Sequence, residues 1–256
     1  MSQKTLHNAK LTLVGAGPGD PELITLKAIN ALKSADVVLY DALVDKSLLD
    51  YAPNSIQIFV GKRGGKQYLS QSDINQLIVQ NALNHGHVVR LKGGDSFVFG
   101  RGHEEMEVAQ SFGIEVDIVP GITSAISVPE LQGIPVTKRV VSESFWVLTA
   151  TNKNDELSQD VALAVQSTAT VIILMGTRKL NQIVGLYRQQ GKESEHIAII
   201  QNGSQYNEKI AIGKMSSIEE EVIKNKIGSP AVIIIGDVVK SHPSQLVKYA
   251  EEAKMS

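Results

Sequence analysis

The sequence predicts an α/β protein of two domains, the first with a mostly parallel sheet and the second with a mixed sheet. Short apolar runs alternate with amphipathic helical patterns along all 256 residues, a pattern typical of parallel sheets covered by helices on both faces. The tripeptide Gly133-Ile134-Pro135 near the middle is typical of a linker. It predicts domains at residues 9–135 and 143–242, both of ordinary domain size.

Composition and charge narrow the classes of function. The chain contains no cysteine, which excludes a disulfide framework, a thiolate zinc site and a cysteine nucleophile. Its six histidines show no ligand spacing, so we expect no metal site. The 25 basic and 27 acidic residues and the 5% aromatic content argue against a nucleic-acid partner. Residues 1–10 lack the apolar core of a signal peptide and no run has the length of a membrane span, so we expect a cytoplasmic protein with no membrane partner.

The first half contains apolar runs of strand length. They lie at residues 11–14, 37–40, 56–60, 88–92 and 114–119. After the first run, Asp20 and Pro21 predict the start of a helix. Before the fourth run, Ser72 is the predicted N-cap of a helix that ends at Gly86. Its apolar stripe is expected to comprise Ile74, Leu77, Ile78 and Leu83.

The second half contains a further set of strand-length runs. They lie at residues 145–149, 171–175, 197–201, 210–213 and 231–236. Residues 202–208 are only long enough for a hairpin connection between the third and fourth of these. Because a hairpin joins antiparallel strands, this half is predicted to form a mixed sheet.

Three loops that follow predicted strands carry the candidate chemistry, since ligands of parallel α/β sheets gather beyond the carboxyl ends of strands. Their sequences are GAGPGDP at residues 15–21, GGDSFVFGRGHEE at 93–105 and PGITSA at 120–125. The first loop suggests a dinucleotide fingerprint with Asp41 as the ribose-binding acid, but Asp20 stands where that pattern needs a third glycine. In the second loop a turn needs one glycine rather than four, which favours a ligand held by backbone groups with Arg101 facing an anion.

Taken together, these loops resemble the S-adenosylmethionine-dependent tetrapyrrole methyltransferases. The elements YDALV at residues 40–44 and GKR at 61–63 fall in family order with the three loops, and the resemblance covers residues 9–237. It implies two α/β domains of the tetrapyrrole methylase type with S-adenosylmethionine in the cleft between them. It also implies a homodimer, transfer of methyl groups to C2 and C7 of uroporphyrinogen III, and S-adenosylhomocysteine as the second product.

The resemblance also implies roles for individual residues. Asp41 is expected to accept a proton, Lys62 to donate one, and Arg101 to bind a substrate carboxylate or assist proton transfer. Cofactor-binding residues are expected at Pro18, Gly93, Gly94, Asp95, Val98, Thr123, Ser124, Met175 and Gly203. Because the substrate carries eight carboxylates, further cations are expected to bind it: Arg63, Lys138 and Arg139 join Arg101 in this set.

Three other functions remain open at this point. A methylase of a later corrin precursor is disfavoured by residues 61–63 and 100–102. A non-catalytic sensor of S-adenosylmethionine is favoured by two departures from the family pattern, Ser96 where proline is usual and Lys138 where histidine is frequent. A nicotinamide-dependent dehydrogenase is disfavoured by the incomplete glycine pattern. His103 and Ala42 also depart from the family, which bears on the positioning of substrate.

Overall fold

The computed structural model describes residues 9–61 and 69–245, and contacts within the chain divide it into two units, residues 1–123 and 124–256. The expected linker at residues 133–135 lies within the second unit, where Ile134 is fully buried. Its amide nitrogen donates to Pro129 O at 2.9 Å, which folds this segment back onto the preceding helix.

The first unit is a parallel sheet with helices between its strands. Its strands are β1 Lys10–Gly15, β2 Val37–Tyr40, β3 Ile56–Phe59, β4 His87–Lys92 and β5 Glu115–Val119. Its helices are α1 Leu26–Lys33, α2 Gln71–His85 and α3 Gly102–Ser111. The strand order is β3-β2-β4-β1-β5 and every pairing is parallel. All five carboxyl ends therefore meet at one edge, as the sequence predicts.

Two helix starts differ from the prediction. Asp20 caps a short 3-10 turn over Pro21–Leu23, and α1 begins later with Thr25 as its N-cap. Helix α2 is capped by Ser70 rather than Ser72. Ser70 accepts a hydrogen bond from the Asp73 amide nitrogen while the Asp73 carboxylate accepts from the Ser70 amide nitrogen, and this reciprocal pair stabilises the earlier start.

Apolar side chains fill both faces of this sheet. On one face, residues of β1, β2 and β4 pack with α2 and α3 around Ile78 and Ala82. On the other face they pack with α1 around Leu32. The predicted stripe of α2 is wrong at Leu83, which is 55% exposed, because Val79 and Ala82 face the core instead.

The second unit contains a mixed sheet, as predicted. Its strands are β6 Phe145–Thr149, β7 Thr170–Leu174, β8 His196–Gln201, β9 Lys209–Lys214 and β10 Ala231–Ile235. Its helices are α4 Ser124–Leu131, α5 Gln159–Gln166, α6 Leu180–Gln189 and α7 Ile218–Lys224. The order is β6-β7-β10-β8-β9, with β6 and β7 parallel and the other pairs antiparallel. The predicted hairpin between β8 and β9 is confirmed.

Membrane-spanning helices are not found in residues 9–61 and 69–245, where no helix combines the necessary length and apolarity.

The carboxyl group of Glu195, just before β8, makes stability depend on pH. Burial raises the pKa of this carboxyl, and the charge of Asp237 acts in the same direction, against the opposing effects of Lys192 and Lys240. Because its pKa is higher in the folded state, the group costs stability at neutral pH, and this cost is lost as the pH falls through the folded value toward the unfolded one near 4.5.

We expect Glu195→Gln to raise the midpoint of thermal unfolding at pH 7 by about 1–2 °C. The gain should shrink as the pH approaches 4, and scans at both pH values measure it. Glu193→Gln is the matched control because Glu193 is exposed, and it should change neither midpoint. An equal gain at both pH values for Glu195→Gln would contradict the assignment to a charged carboxylate.

Candidate functional site

The loops at the carboxyl edge of the first sheet meet through their backbones. Gly17 and Gly94 form an isolated bridge in which each amide nitrogen donates to the other residue's carbonyl oxygen, at 3.2 and 2.6 Å. Gly121 packs directly on Gly94 and Gly15. A Cβ placed on Gly121 would lie 2.3 Å from Gly94 O and 2.6 Å from Gly15 Cα. The loops after β1, β4 and β5 are thus in close contact, and at Gly15 and Gly121 only hydrogen fits.

Gly121→Ala tests this close packing. The added methyl group would meet two backbones rather than flexible side chains, so we expect a loss of about 1–3 kcal/mol in the free energy of unfolding. Denaturant titration measures it. Gly185→Ala in α6 is the control, because an added Cβ there meets nothing within 4 Å, and it should stabilise by up to about 1 kcal/mol. A neutral Gly121→Ala variant would show that these loops have room to separate.

Asp95 holds two of the glycine loops together. Its Oδ2 accepts a hydrogen bond from the Gly121 amide nitrogen at 3.0 Å and its Oδ1 accepts from the Phe97 amide nitrogen at 2.9 Å. The Val98 amide nitrogen donates to Asp95 O at 3.3 Å, which closes the turn. The structure therefore gives Asp95, expected to bind cofactor, a role in shaping the loop.

The first unit brings its predicted cofactor residues to one edge of the sheet. They are Pro18 after β1, Gly93, Gly94, Asp95 and Val98 after β4, and Thr123 after β5. A Cβ at Gly94 would find no atom within 4 Å and its φ is +66°, so the backbone here adjoins open space. Ser124 follows directly as the first residue of α4.

Two of the four glycines in the second loop have a structural role instead. A Cβ on Gly100 or Gly102 would lie 2.6 or 2.7 Å from Ser96 O, and the Gly102 amide nitrogen donates to that oxygen at 2.9 Å. Ser96 itself is buried, and its Oγ has no hydrogen-bond partner in the part of the chain that the structure describes. Ser96, which stands where the sequence resemblance leads us to expect proline, therefore places a buried hydroxyl in the loop.

Asp41 belongs to a buried ionic cluster, defined here as Asp41, Arg90, Lys92 and Glu105. Arg90 Nη2 donates to Asp41 Oδ1 at 2.7 Å and Arg90 Nε donates to Glu105 Oε1 at 3.2 Å. Lys92 Nζ donates to the same Glu105 oxygen at 2.8 Å. Glu105 is fully buried, whereas the Asp41 side chain is 28% exposed. One charged group of the cluster therefore reaches the surface at the end of β2.

The charges within this cluster offset one another, because two cations face two carboxylates. Burial lowers the pKa of Lys92, and the neighbouring Arg90 charge acts in the same direction. Glu105 and Asp41 oppose both effects. Charges removed from water this way are stable only when they are paired.

Arg101, the expected substrate cation, lies beside the cluster with a left-handed backbone of φ 60°. Its Nε and Nη2 donate to the two carboxylate oxygens of Glu104 at 2.7 and 2.6 Å. This bidentate contact raises the pKa of Arg101 and lowers that of Glu104. Both side chains are about half exposed, so a substrate carboxylate would compete with Glu104 for the guanidinium.

The remaining expected cations fall in different places. Lys62 and Arg63 lie outside the described residues. Lys138 and Arg139 are exposed in the second unit, and Lys138 Nζ donates to Ser241 Oγ at 3.0 Å.

Met175 and Gly203 lie at the same edge of the second sheet. They follow β7 and β8, which flank the first residues of β10. Met175 has a φ of 56° and is 57% exposed. A Cβ on Gly203 would lie 2.4 Å from Val128 Cγ1. A left-handed backbone is uncommon for methionine, and a side chain this exposed contributes little to a core. Both observations favour a functional role for Met175 over simple packing.

Sequence reasoning does not single out three members of the ionic cluster, Arg90, Lys92 and Glu105. A signal existed, because Arg90 and Lys92 are two charges at alternate positions of an otherwise apolar strand. Alternate residues share one face, and a central parallel strand is covered on both faces.

Among the described residues, no group of three His, Asp or Glu side chains is arranged to hold a metal ion.

Comparison with known proteins identifies the family. Residues 10–219 match the family model of tetrapyrrole (corrin/porphyrin) methylases. A uroporphyrinogen-III C-methyltransferase of Methanocaldococcus jannaschii is 46% identical, over 92% of this chain and 99% of that protein. An S-adenosyl-L-methionine-dependent uroporphyrinogen III methyltransferase of Methanosarcina barkeri is 41% identical, over 91% and 93%.

A solved structure has the same fold. The uroporphyrin-III C-methyl transferase of Thermus thermophilus, complexed with S-adenyl homocysteine, superposes with a TM-score of 0.77 at 35% identity, over 90% of this chain and 99% of that one. The family match and the similarity of these relatives along nearly their whole length lead to one conclusion: the chain belongs to the S-adenosylmethionine-dependent tetrapyrrole (corrin/porphyrin) methylases.

Proposed function

We propose that the protein transfers two methyl groups in succession from S-adenosylmethionine to C2 and C7 of uroporphyrinogen III, giving precorrin-2. The observation that carries this proposal is the 46% identity to a uroporphyrinogen-III C-methyltransferase over 99% of that relative's length. Family membership makes a nicotinamide-dependent dehydrogenase untenable.

The carboxyl edge of the first sheet fits a cofactor held by backbone groups. The Gly94 backbone adjoins open space into which a ligand can fit, and the close contacts of Gly15 and Gly121 keep the surrounding loops together. We propose that Pro18, Gly93, Gly94, Asp95, Val98, Thr123 and Ser124 hold S-adenosylmethionine, with Met175 and Gly203 from the second unit. When bound, this cofactor supplies a methyl group already activated for attack by a pyrrole carbon.

The chain's own residues then have to orient the macrocycle and handle its protons. Alignment of two reactants is worth as much as about 7–11 kcal/mol, and we assign it to cations that bind the substrate carboxylates: Arg63, Arg101, Lys138 and Arg139. Arg101 is suited to this because its planar fork already holds the Glu104 carboxylate at the surface.

Asp41 is the proposed proton acceptor. Its carboxylate is partly exposed at the carboxyl edge and one oxygen is bound to Arg90. The other oxygen, which has no hydrogen-bond partner in the described part of the chain, is proposed to receive a proton from the macrocycle after methyl transfer. Lys62 is the proposed proton donor. We also propose that the protein acts as a homodimer in the cytoplasm, which light scattering of the purified protein and cell fractionation would test.

Anaerobic incubation with uroporphyrinogen III and S-adenosylmethionine, followed by mass analysis of the tetrapyrrole, tests the function. We expect two added methyl groups and two equivalents of S-adenosylhomocysteine. A single added methyl group would contradict the second transfer and direct attention to Ser96 and Lys138. No added methyl group, with cofactor binding intact in calorimetry, would overturn the proposal in favour of a later corrin precursor or a sensor.

A further inference from the structure

Arg90 is a buried cation whose charged group extends from the core to the predicted site. It lies on β4 between β1 and β2, is 2% exposed, and is among the largest fully buried side chains. An arginine in this position is costly unless all its donors are bound. The contacts of its guanidinium group therefore indicate its role.

The contacts of Arg90 fix its guanidinium group from several directions. Nε donates to Glu105 Oε1 at 3.2 Å, and Nη1 donates to the carbonyl oxygens of Leu39 and Leu91 at 3.4 and 3.3 Å. Glu105 is held in turn by Lys92 at 2.8 Å and by Gln71 at 3.2 Å. Because Nε and Nη1 are bound to α3 and to the strands, the orientation of the guanidinium is fixed, and so is the direction of Nη2.

Nη2 of Arg90 points at Asp41. It donates to Asp41 Oδ1 at 2.7 Å, and the Asp41 amide nitrogen donates to Leu91 O at 3.3 Å. Both the backbone and one carboxylate oxygen of Asp41 are therefore fixed relative to β4. Oδ2 has no hydrogen-bond partner among the described residues, and the side chain is 28% exposed.

We propose that Arg90 is the positioning residue for Asp41, and that Glu105 and Lys92 hold Arg90 in place. The inference rests on the proposed function, in which Asp41 accepts a proton. Arg90 binds one oxygen of the carboxylate and leaves the other available at the partly exposed end of β2. Residues in the interior of the sheet thus set the direction in which the base points.

A double-mutant cycle between Arg90 and Asp41 tests this, because a residue that acts only through another has no effect once that other is removed. We expect Arg90→Gln to lower kcat about 10- to 100-fold, which is no more than the about 10²–10⁴-fold contribution of the positioned base itself, with KM for S-adenosylmethionine changed less than about twofold. In an Asp41→Asn background the same substitution should change kcat less than about twofold. Independent, multiplicative losses of kcat would overturn the proposal.

Two further measurements keep the cycle decisive. If Arg90→Gln does not fold, Arg90→Lys takes its place, because lysine keeps the buried charge but cannot contact Glu105 and Asp41 together; the same loss and the same dependence on Asp41 are expected. The cycle is also read in the midpoint of thermal unfolding, where the substitution of Arg90 should lower the midpoint less in the Asp41→Asn protein. If the midpoint falls equally in both backgrounds, Arg90 and Asp41 do not stabilise each other and the proposal is overturned.

The thermal cycle does not depend on the reaction. If the unsubstituted protein transfers no methyl group to uroporphyrinogen III, the proposed function fails, while coupled midpoints would still establish that Arg90 holds Asp41. If the protein is active and the kinetic effects multiply, the function stands and the positioning role of Arg90 fails.

Discussion

Asp41→Asn should abolish most methyl transfer while leaving the cofactor bound. Asparagine keeps the size of the side chain and can still accept a hydrogen bond from Arg90, but it cannot take a proton from the macrocycle. Loss of a positioned base costs about 10²–10⁴-fold in rate. We therefore expect kcat for precorrin-2 formation to fall within that range, with the Kd for S-adenosylmethionine changed less than about threefold.

Steady-state kinetics under anaerobic conditions measure kcat, and calorimetry measures the Kd for the cofactor. Asp45→Asn is the matched control, because Asp45 is an exposed aspartate four residues away that caps the following 3-10 turn. It should leave kcat within about twofold, since an asparagine N-cap is equivalent. Wild-type turnover by Asp41→Asn would remove Asp41 from the mechanism, and loss of cofactor binding would give it a binding role.

Most of the fold could be predicted from the sequence because strand-length apolar runs are bounded by polar turns. The predicted run at residues 37–40 matches β2 and that at 145–149 matches β6, since segments with polar and charged residues flank them. The choice of helix cap is harder. Both Ser70 and Ser72 are suitable N-caps, and the decision rests on the reciprocal contact between Ser70 and Asp73, which depends on geometry.

The candidate site divides in the same way. Its loops could be found because they follow strand ends, but the role of each glycine could not, since Gly100 and Gly102 contact Ser96 O rather than open space. The ionic cluster depends on Glu105, which comes from α3 and meets β4 only in the folded chain. Its neighbour Glu104 has the same charge but faces solvent, and sequence alone does not distinguish them.

The contrast between these two glutamates yields the second large expected effect. Glu105→Leu should lower the free energy of unfolding by about 3–5 kcal/mol, because it leaves Arg90 and Lys92 as buried cations without their shared carboxylate. Glu104→Leu, the control, should cost no more than about 1 kcal/mol, because its ion pair with Arg101 is half exposed. Urea titrations of both variants measure the difference.

The origin of that loss can be separated from simple loss of packing. In Glu105→Leu/Lys92→Met, one of the two cations that lose Glu105 is replaced by an apolar side chain, while Arg90 keeps its contact with Asp41. If uncompensated charge causes the loss, the double variant should be more stable than Glu105→Leu alone, since apolar replacement of buried ion pairs is often neutral or stabilising. If the double variant is instead less stable than either single variant, the side chains support the sheet through packing.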